Sequence, residues 1–202
     1  MTFTEIIISI LSYLWLLFKK WLSLFAAPFA SHDLIWIIIP VWLSWFFAEF
    51  FQEKKRTSFG NAISNGVVPF WVGFDWMRHL TGLLVSGAAF TFDLFQKYFI
   101  SLLVVAYGCM IIYFGIKGKS FIPLIGRIRE VTYVLIMFMP IIYGIIDLDL
   151  NTLLAILLYF PVYYFIIELI DHYTPDPKIY ELDEGEAKQE PSWSSTSSEY
   201  KI

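Results

Sequence analysis

Apolar residues in this chain come in long uninterrupted runs. They do not alternate as in half-buried strands, nor recur every third or fourth residue as in helices that show one face to water. Six runs stand out, at roughly 3–18 (extending towards 25), 34–51, 62–76, 98–116, 131–146 and 152–170. Crossing a hydrocarbon core of about 30 Å takes about 20 helical residues. The second, fourth and sixth runs meet that length. The fifth is slightly short but nearly free of charge, and the first and third are less regular. The pattern predicts an all-α fold: a polytopic transmembrane helical bundle of five or six crossings over residues 1–172, followed by a soluble, largely disordered acidic tail over 173–202.

Composition strengthens the membrane reading. Hydrophobic residues make up 58% of the 202 residues and charged ones 16%, whereas a soluble domain sits nearer half apolar and a quarter charged. Mean hydropathy is +0.64. Aromatic residues reach 20%; Phe suits hydrocarbon contact, while Trp and Tyr favour the headgroup level.

Charge placement adds orientation. Lys54, Lys55 and Arg56 follow the second run, and Lys117, Lys119, Arg127 and Arg129 follow the fourth. The positive-inside rule puts both loops in the cytoplasm, which requires an odd number of crossings between 57 and 97. The fifth and sixth runs then form a hairpin whose outer turn is Asp147-Leu148-Asp149-Leu150-Asn151, and the C-terminus is cytoplasmic. Lys19 and Lys20 interrupt the first run. Either that segment spans and the lysines snorkel to the outer headgroups, or it lies flat at the interface. Ala26-Ala27-Pro28-Phe29-Ala30 leaves a cleaved signal peptide as a third reading, although no positive charge precedes the run. Within 57–99, the charged group Asp75-Trp76-Met77-Arg78-His79 and the nearby glycines predict a helix, a break near 75–81, and a second short helix to about 92.

Helices in lipid associate through close backbone approach or polar contacts. Ser58, Ala62 and Gly66 lie four apart on one small face, with Asn61 and Asn65 beside it. Ser101, Gly108 and Gly115 recur every seven residues as a narrow seam. These six are the candidate helix-packing residues. Prolines fall inside four runs, at 40, 69, 140 and 161, and each removes a backbone donor and tends to kink its helix. Pro140 with Gly144 predicts a bend in the fifth run.

Ionisable residues at membrane depth are costly, so each is a functional candidate. Glu49 ends the second run, and Glu168, Asp171 and His172 end the sixth. If those helices are neighbours, these four form a candidate polar or ion site at the cytoplasmic end, able to bind a cation or relay protons. The plainer reading is helix ends with access to water. Asp75, Arg78 and His79 form a candidate outer polar cluster. There Asp75 pairs locally with Arg78 or His79, or the group lines a shallow cavity walled by Trp71 and Trp76. One imidazole among scattered acids is a weak metal signal, so no metal and no cofactor are expected.

Catalytic patterns are not evident: there is no P-loop, no His-Glu-x-x-His and no Cys-x-x-Cys. Trp76-x-Arg78 and Ser86-Gly87-Ala88 resemble fragments of the rhomboid proteases. Leu84, however, stands where the glycine two before the serine belongs, and no later His lies inside a run, so no roles are carried over. Cys109, the single cysteine, excludes an intramolecular disulfide. No basic patch points to nucleic acid.

From Thr174 the apolar signal stops at Thr-Pro-Asp-Pro. Residues 171–202 carry eight acids against three lysines, a composition that cannot offset its ordering entropy, and disorder is predicted past about Leu182. Partners implied are the lipid bilayer and a membrane-protein partner or second copy. Three function classes follow. One is a non-catalytic membrane subunit or scaffold that docks partners through its small-residue faces and tail. Another is a small transporter or channel using kinked helices and intramembrane acids. The third is a membrane enzyme acting on a lipid-linked substrate. A transporter requires a polar path joining the two polar clusters. An enzyme requires a pocket where acids and His meet.

Overall fold

The computed structural model of the chain describes residues 2–30, 32–53 and 57–175. The basic triplet Lys54, Lys55 and Arg56 and nearly all of the acidic tail lie outside the described residues, and with them the expectation of disorder there. Among the described residues the regular structure is helical throughout, without a strand.

The elements are α1 (Phe3–Ala26), a 3₁₀ turn (Ala27–Ala30), α2 (His32–Phe47) continuing into a π-turn (Ala48–Gln52), α3 (Phe59–Val85), α4 (Phe92–Ile116), the single turn α5 (Ile122–Ile125), α6 (Ile128–Ile142) and α7 (Leu150–Tyr173). By length and apolarity, four helical segments among the described residues are able to cross a membrane: Phe3–Ala30, Leu34–Gln52, Phe92–Ile116 and Leu150–Tyr173. That makes the chain a membrane protein of helical build. α3 and α6 fall outside that set, so the expected five or six crossings are proposed further below rather than read off these helices.

Helix boundaries follow local chemistry. Thr2 and Glu5 form a complete capping box at the start of α1, and Ser58, Thr91 and Asp149 accept from the third residue of α3, α4 and α7, satisfying donors that the helix cannot. α6 ends at Ile142 because Gly144 adopts φ +71° and the Pro140 carbonyl takes the amides of Ile145 and Ile146 instead. Pro140 and Gly144 therefore stop the helix where a bend was expected.

The expected break at 75–81 is also absent: α3 runs unbroken from Phe59 to Val85. Its charged residues do not interrupt it because Asp75 and Arg78, three apart, pair along one exposed side. Thr81 Oγ1 returns its hydrogen to the Met77 carbonyl at 2.7 Å. The helix ends at Ser86, next to Gly87 with φ +99°.

α6 is the centre of the bundle. It contacts α1, α2, α3, α4 and α7, and most of its residues are buried, Val131, Leu135, Met137, Met139 and Ile141 completely. Only the side bearing Glu130, Val134 and Phe138 is less than fully covered. Tyr133 ties three elements together, since its hydroxyl accepts from Trp21 Nε1 at 3.1 Å and donates to the Ile156 carbonyl at 2.6 Å.

α3 and α4 form an antiparallel pair held at backbone distance. A Cβ at Gly108 would stand 2.5 Å from Phe70 N and 2.6 Å from the Gly66 carbonyl oxygen. One at Gly73 would stand 2.9 Å from the Ser101 carbonyl oxygen, and one at Gly115 would strike Ile63. Of the six packing candidates, Gly66, Ser101, Gly108 and Gly115 thus lie on this internal seam. Ala62 is fully buried against Gly126. Ser58 is an exposed N-cap and not part of a packed face. Gly73 belongs to the seam and was missed.

α1 relates to the bundle differently. Tyr13 Oη donates to Asn151 Oδ1 at 2.8 Å and Lys20 Nζ meets Asp149 Oδ2 at 2.5 Å. Tyr13 and Lys20 are about 10 Å apart along α1, at 1.5 Å per residue, yet both reach the start of α7. The carbonyl of Leu14, adjacent to Tyr13, accepts from Tyr159 Oη at 2.7 Å, and Tyr159 sits about 12 Å further along α7. Helices lying side by side cannot satisfy both relations, so α1 crosses α7 steeply. From Thr2 to Tyr13 every residue of α1 is exposed.

Candidate functional site

The end of the bundle built from the π-turn, the start of α3, the start of α6 and the end of α7 holds a buried ionic cluster. The π-turn buries Ala48, Glu49 and Phe50 in succession. Such wide turns re-aim side chains that a regular helix would point elsewhere. Glu49 and Glu53 are both fully buried.

Arg129, also fully buried, is the hub. Its Nε donates to Glu49 Oε1 at 2.9 Å, its Nη2 donates to the same oxygen, and its Nη1 donates to Glu168 Oε2 at 2.8 Å. The guanidinium lies 4.7 Å from the centre of the Tyr164 ring, an attraction of cation for aromatic face. Arg127 Nη2 adds a contact to Glu49 Oε1 at 3.1 Å. One fixed guanidinium fork thereby joins α2, α6 and α7.

Glu53 serves a different purpose. Its Oε2 accepts from the Ile128 amide at 3.1 Å and from Thr57 Oγ1 at 2.9 Å, and its Oε1 accepts from Asn65 Nδ2 at 2.6 Å. Asn65 Nδ2 also donates to the Gly126 carbonyl at 2.9 Å. Arg127, the N-cap of α6, offers that helix no side-chain bond. A carboxylate from the end of α2 supplies the missing acceptor, where the helix dipole favours negative charge.

Of the four residues expected at a cytoplasmic polar site, the structure joins Glu49 and Glu168 through Arg129. Glu168 remains 59% exposed while Glu49 is sealed. Asp171 is half-buried, and His172 is exposed with its ring 5.3 Å from Tyr173. Arg129, Arg127 and Glu53 were not expected as members. Arg129 had been counted as a loop charge; its signal was its position inside Ile128-Arg129-Glu130-Val131, with apolar residues on both sides. Among the described residues no cluster of three or more His, Cys, Asp and Glu side chains is placed to hold a metal ion.

At the opposite end, Asp75 Oδ1 accepts from Arg78 Nη2 at 2.6 Å and from Nε at 3.0 Å. Arg78 is 79% exposed. His79 stacks on Tyr143 with ring centres 4.3 Å apart. Trp76 is fully buried and Trp71 largely exposed, so the two do not wall one cavity. Two further pairs mark this end, Lys97–Asp93 at 2.8 Å and Lys20–Asp149 at 2.5 Å. Hydrogen bonds from Lys20 and Thr152 hold the Asp149 carboxyl down at about 2.

Between the two ends the interior is mostly apolar, with Ile38, Leu135, Ile136, Met137, Met139 and Ile111 buried beside Thr132, Tyr133 and Ser101. Comparison with protein-family models, with curated proteins and with solved structures gives no match for this chain.

Proposed function

We propose that the chain is a non-catalytic membrane subunit, anchored by its bundle and docking a partner membrane protein through α1. The observation that carries this reading is the first half of α1. It is helical, closed by its own capping box, apolar in sequence and without a buried residue before Leu14. Ile6, Ile7 and Ile10 on this arm are all exposed. The small-residue faces first assigned to docking are consumed inside the chain by the α3–α4 seam, which moves the docking surface to the arm.

The rival classes have less support. A transporter needs a continuous polar path between Arg129 and His79, and the interior there is mostly apolar, with the Tyr133 hydroxyl already bonded to Trp21 and Ile156. An enzyme needs acids and His to meet in one pocket, and the groove that carries Glu130 has no His in its lining. In this reading α3 and α6 also lie across the membrane, giving six crossings if α1 spans and five if it lies at the interface. The end bearing Lys117, Lys119, Arg127 and Arg129, and with it the C-terminus, faces the cytoplasm.

The test is purification of the full chain in mild detergent, beside an Ile6→Asn/Ile7→Asn/Ile10→Asn variant. A stoichiometric partner is expected with the parent chain and not with the variant. Solute or ion flux from liposomes containing the purified chain alone would refute the reading.

A further inference from the structure

α6 forms the floor of a groove bordered by α7 and, at its inner end, by α5 and Tyr107 of α4. It has two lobes that share Glu130, Val134 and Phe160. The inner lobe, about 450 Å³, is bounded by Tyr107, Ile125 and Tyr164. The second lobe, about 340 Å³, continues towards the middle of the bundle between Phe138, Leu153, Ile156 and Leu157. One end of the groove therefore carries an acid and two phenols, and the other end is hydrocarbon.

At the inner end Glu130 and Tyr107 present acceptors, and the Tyr164 hydroxyl can accept or donate. Glu130 Oε2 is buried without a hydrogen-bond partner among the described residues. Tyr107 spends its hydroxyl hydrogen on the Ile125 carbonyl, which leaves lone pairs only. Tyr133 Oη, behind the second lobe, is saturated by Trp21 and Ile156. Neither neighbouring base hydrogen-bonds Glu130: Arg129 is held by Glu49 and Glu168, and Arg127 reaches Glu49. A buried carboxylate oxygen left without a donor is costly.

We propose that this groove binds a lipid with a primary ammonium headgroup, of the phosphatidylethanolamine class. The ammonium donates to Glu130 Oε2 and Tyr107 Oη, and an acyl chain lies along Val134, Phe138 and Leu157. The fall from polar to apolar along the groove matches one amphiphile lying lengthwise. Three N–H donors complement acceptors; a trimethylammonium head has none to give. The proposal needs the chain to lie in a membrane but not the subunit role, and the two fail separately.

The experiment is native mass spectrometry of the full chain from mild detergent, offered equimolar phosphatidylethanolamine and phosphatidylcholine with identical acyl chains. The parent chain is expected to retain one phosphatidylethanolamine, preferred about tenfold or more, the size of one charge-assisted hydrogen bond. Glu130→Gln is expected to bring the two lipids to parity, and Val134→Phe, which fills the junction of the lobes, to lower retention of both. A titration on the parent chain alone, with the headgroup nitrogen methylated stepwise, keeps the test valid if Glu130→Gln does not stay monodisperse; retention is expected to fall at each step. Equal retention of both lipids by the parent chain would overturn the proposal. So would an unchanged preference in Glu130→Gln.

Discussion

The two ends of this bundle use the same few side chains to opposite effect. At the α6 start, Glu49 and Arg129 are sealed from solvent and each bonds across helices. At the other end, Asp75–Arg78 and Lys97–Asp93 join residues of a single helix, and Lys20–Asp149 bridges α1 to α7 with Asp149 47% exposed. A buried pair costs several kcal/mol per ion to desolvate and binds hard once assembled, so removing one partner is punished far more than the pair's net worth. An exposed pair trades water for a neighbour at little net change. The first end is therefore a clamp on helix positions, and the second a set of surface trims.

The comparison can be broken most violently at its hub. Arg129→Ala leaves buried Glu49 with only the longer Arg127 contact, and a loss of about 3–5 kcal/mol is expected, read as a collapse of thermal stability in detergent. The double variant Arg129→Met/Glu49→Met, which removes the buried charges together, should recover most of that loss; failure to recover would mean that the cluster's geometry rather than its charge balance is what matters.

Next in size is the α3–α4 seam, which uses no charge at all. Gly108→Val places side-chain carbon where Phe70 N and the Gly66 carbonyl oxygen already stand, and overpacking of this kind costs about 1–3 kcal/mol. A melting temperature equal to the parent's would show that the two helices are freer to part than their spacing implies.

Smaller still is Asp149→Asn, expected to cost about 0.2–1 kcal/mol and to do so in a pH-dependent way. The Asp149 carboxyl ionises at about 2 when folded, below its ordinary value of 3.8. Its contribution is therefore present above pH ~4 and lost as pH falls through the folded value. The stability gap between parent and variant should stay constant from neutral pH to about 4 and close towards 2; a gap that widens on acidification would contradict the Lys20 contact. Last comes Asp75→Asn. Its partner Arg78 projects into solvent, and no measurable change in melting temperature is expected, which makes it the control for the other three.

How much of this was legible from sequence depends on whether a feature is local. The helices appear as apolar runs, but the starts of α3 and α4 at Phe59 and Phe92 lie several residues before the runs at 62–76 and 98–116. The neighbourhood of Glu49 and Glu168 followed from counting crossings between basic loops, because topology alone puts the ends of the second and sixth runs at one face. What joins them did not follow. Arg129 looks like any loop base until α6 is known to begin one residue earlier, and Glu53 sits beside Lys54, Lys55 and Arg56 in what reads as a solvated charge run. The break expected in α3 shows the converse error. Charges three apart look like an interruption when read as composition, but on a helix they form an exposed pair that leaves the backbone hydrogen bonds intact. The place of Gly73 on the seam emerges only once α4 is laid against it.

The borrowed cap of α6 carries a consequence for how the protein is made. This helix has 15 residues, shorter than a bilayer is thick, opens with a buried guanidinium, and depends on Glu53 and Asn65, which the ribosome delivers more than sixty residues earlier. Its seat must be built before it arrives. A chain synthesised from α4 onward should leave α6 outside the lipid, as glycosylation mapping of the α6–α7 connection would reveal, while the same segment behind intact α2 and α3 should integrate.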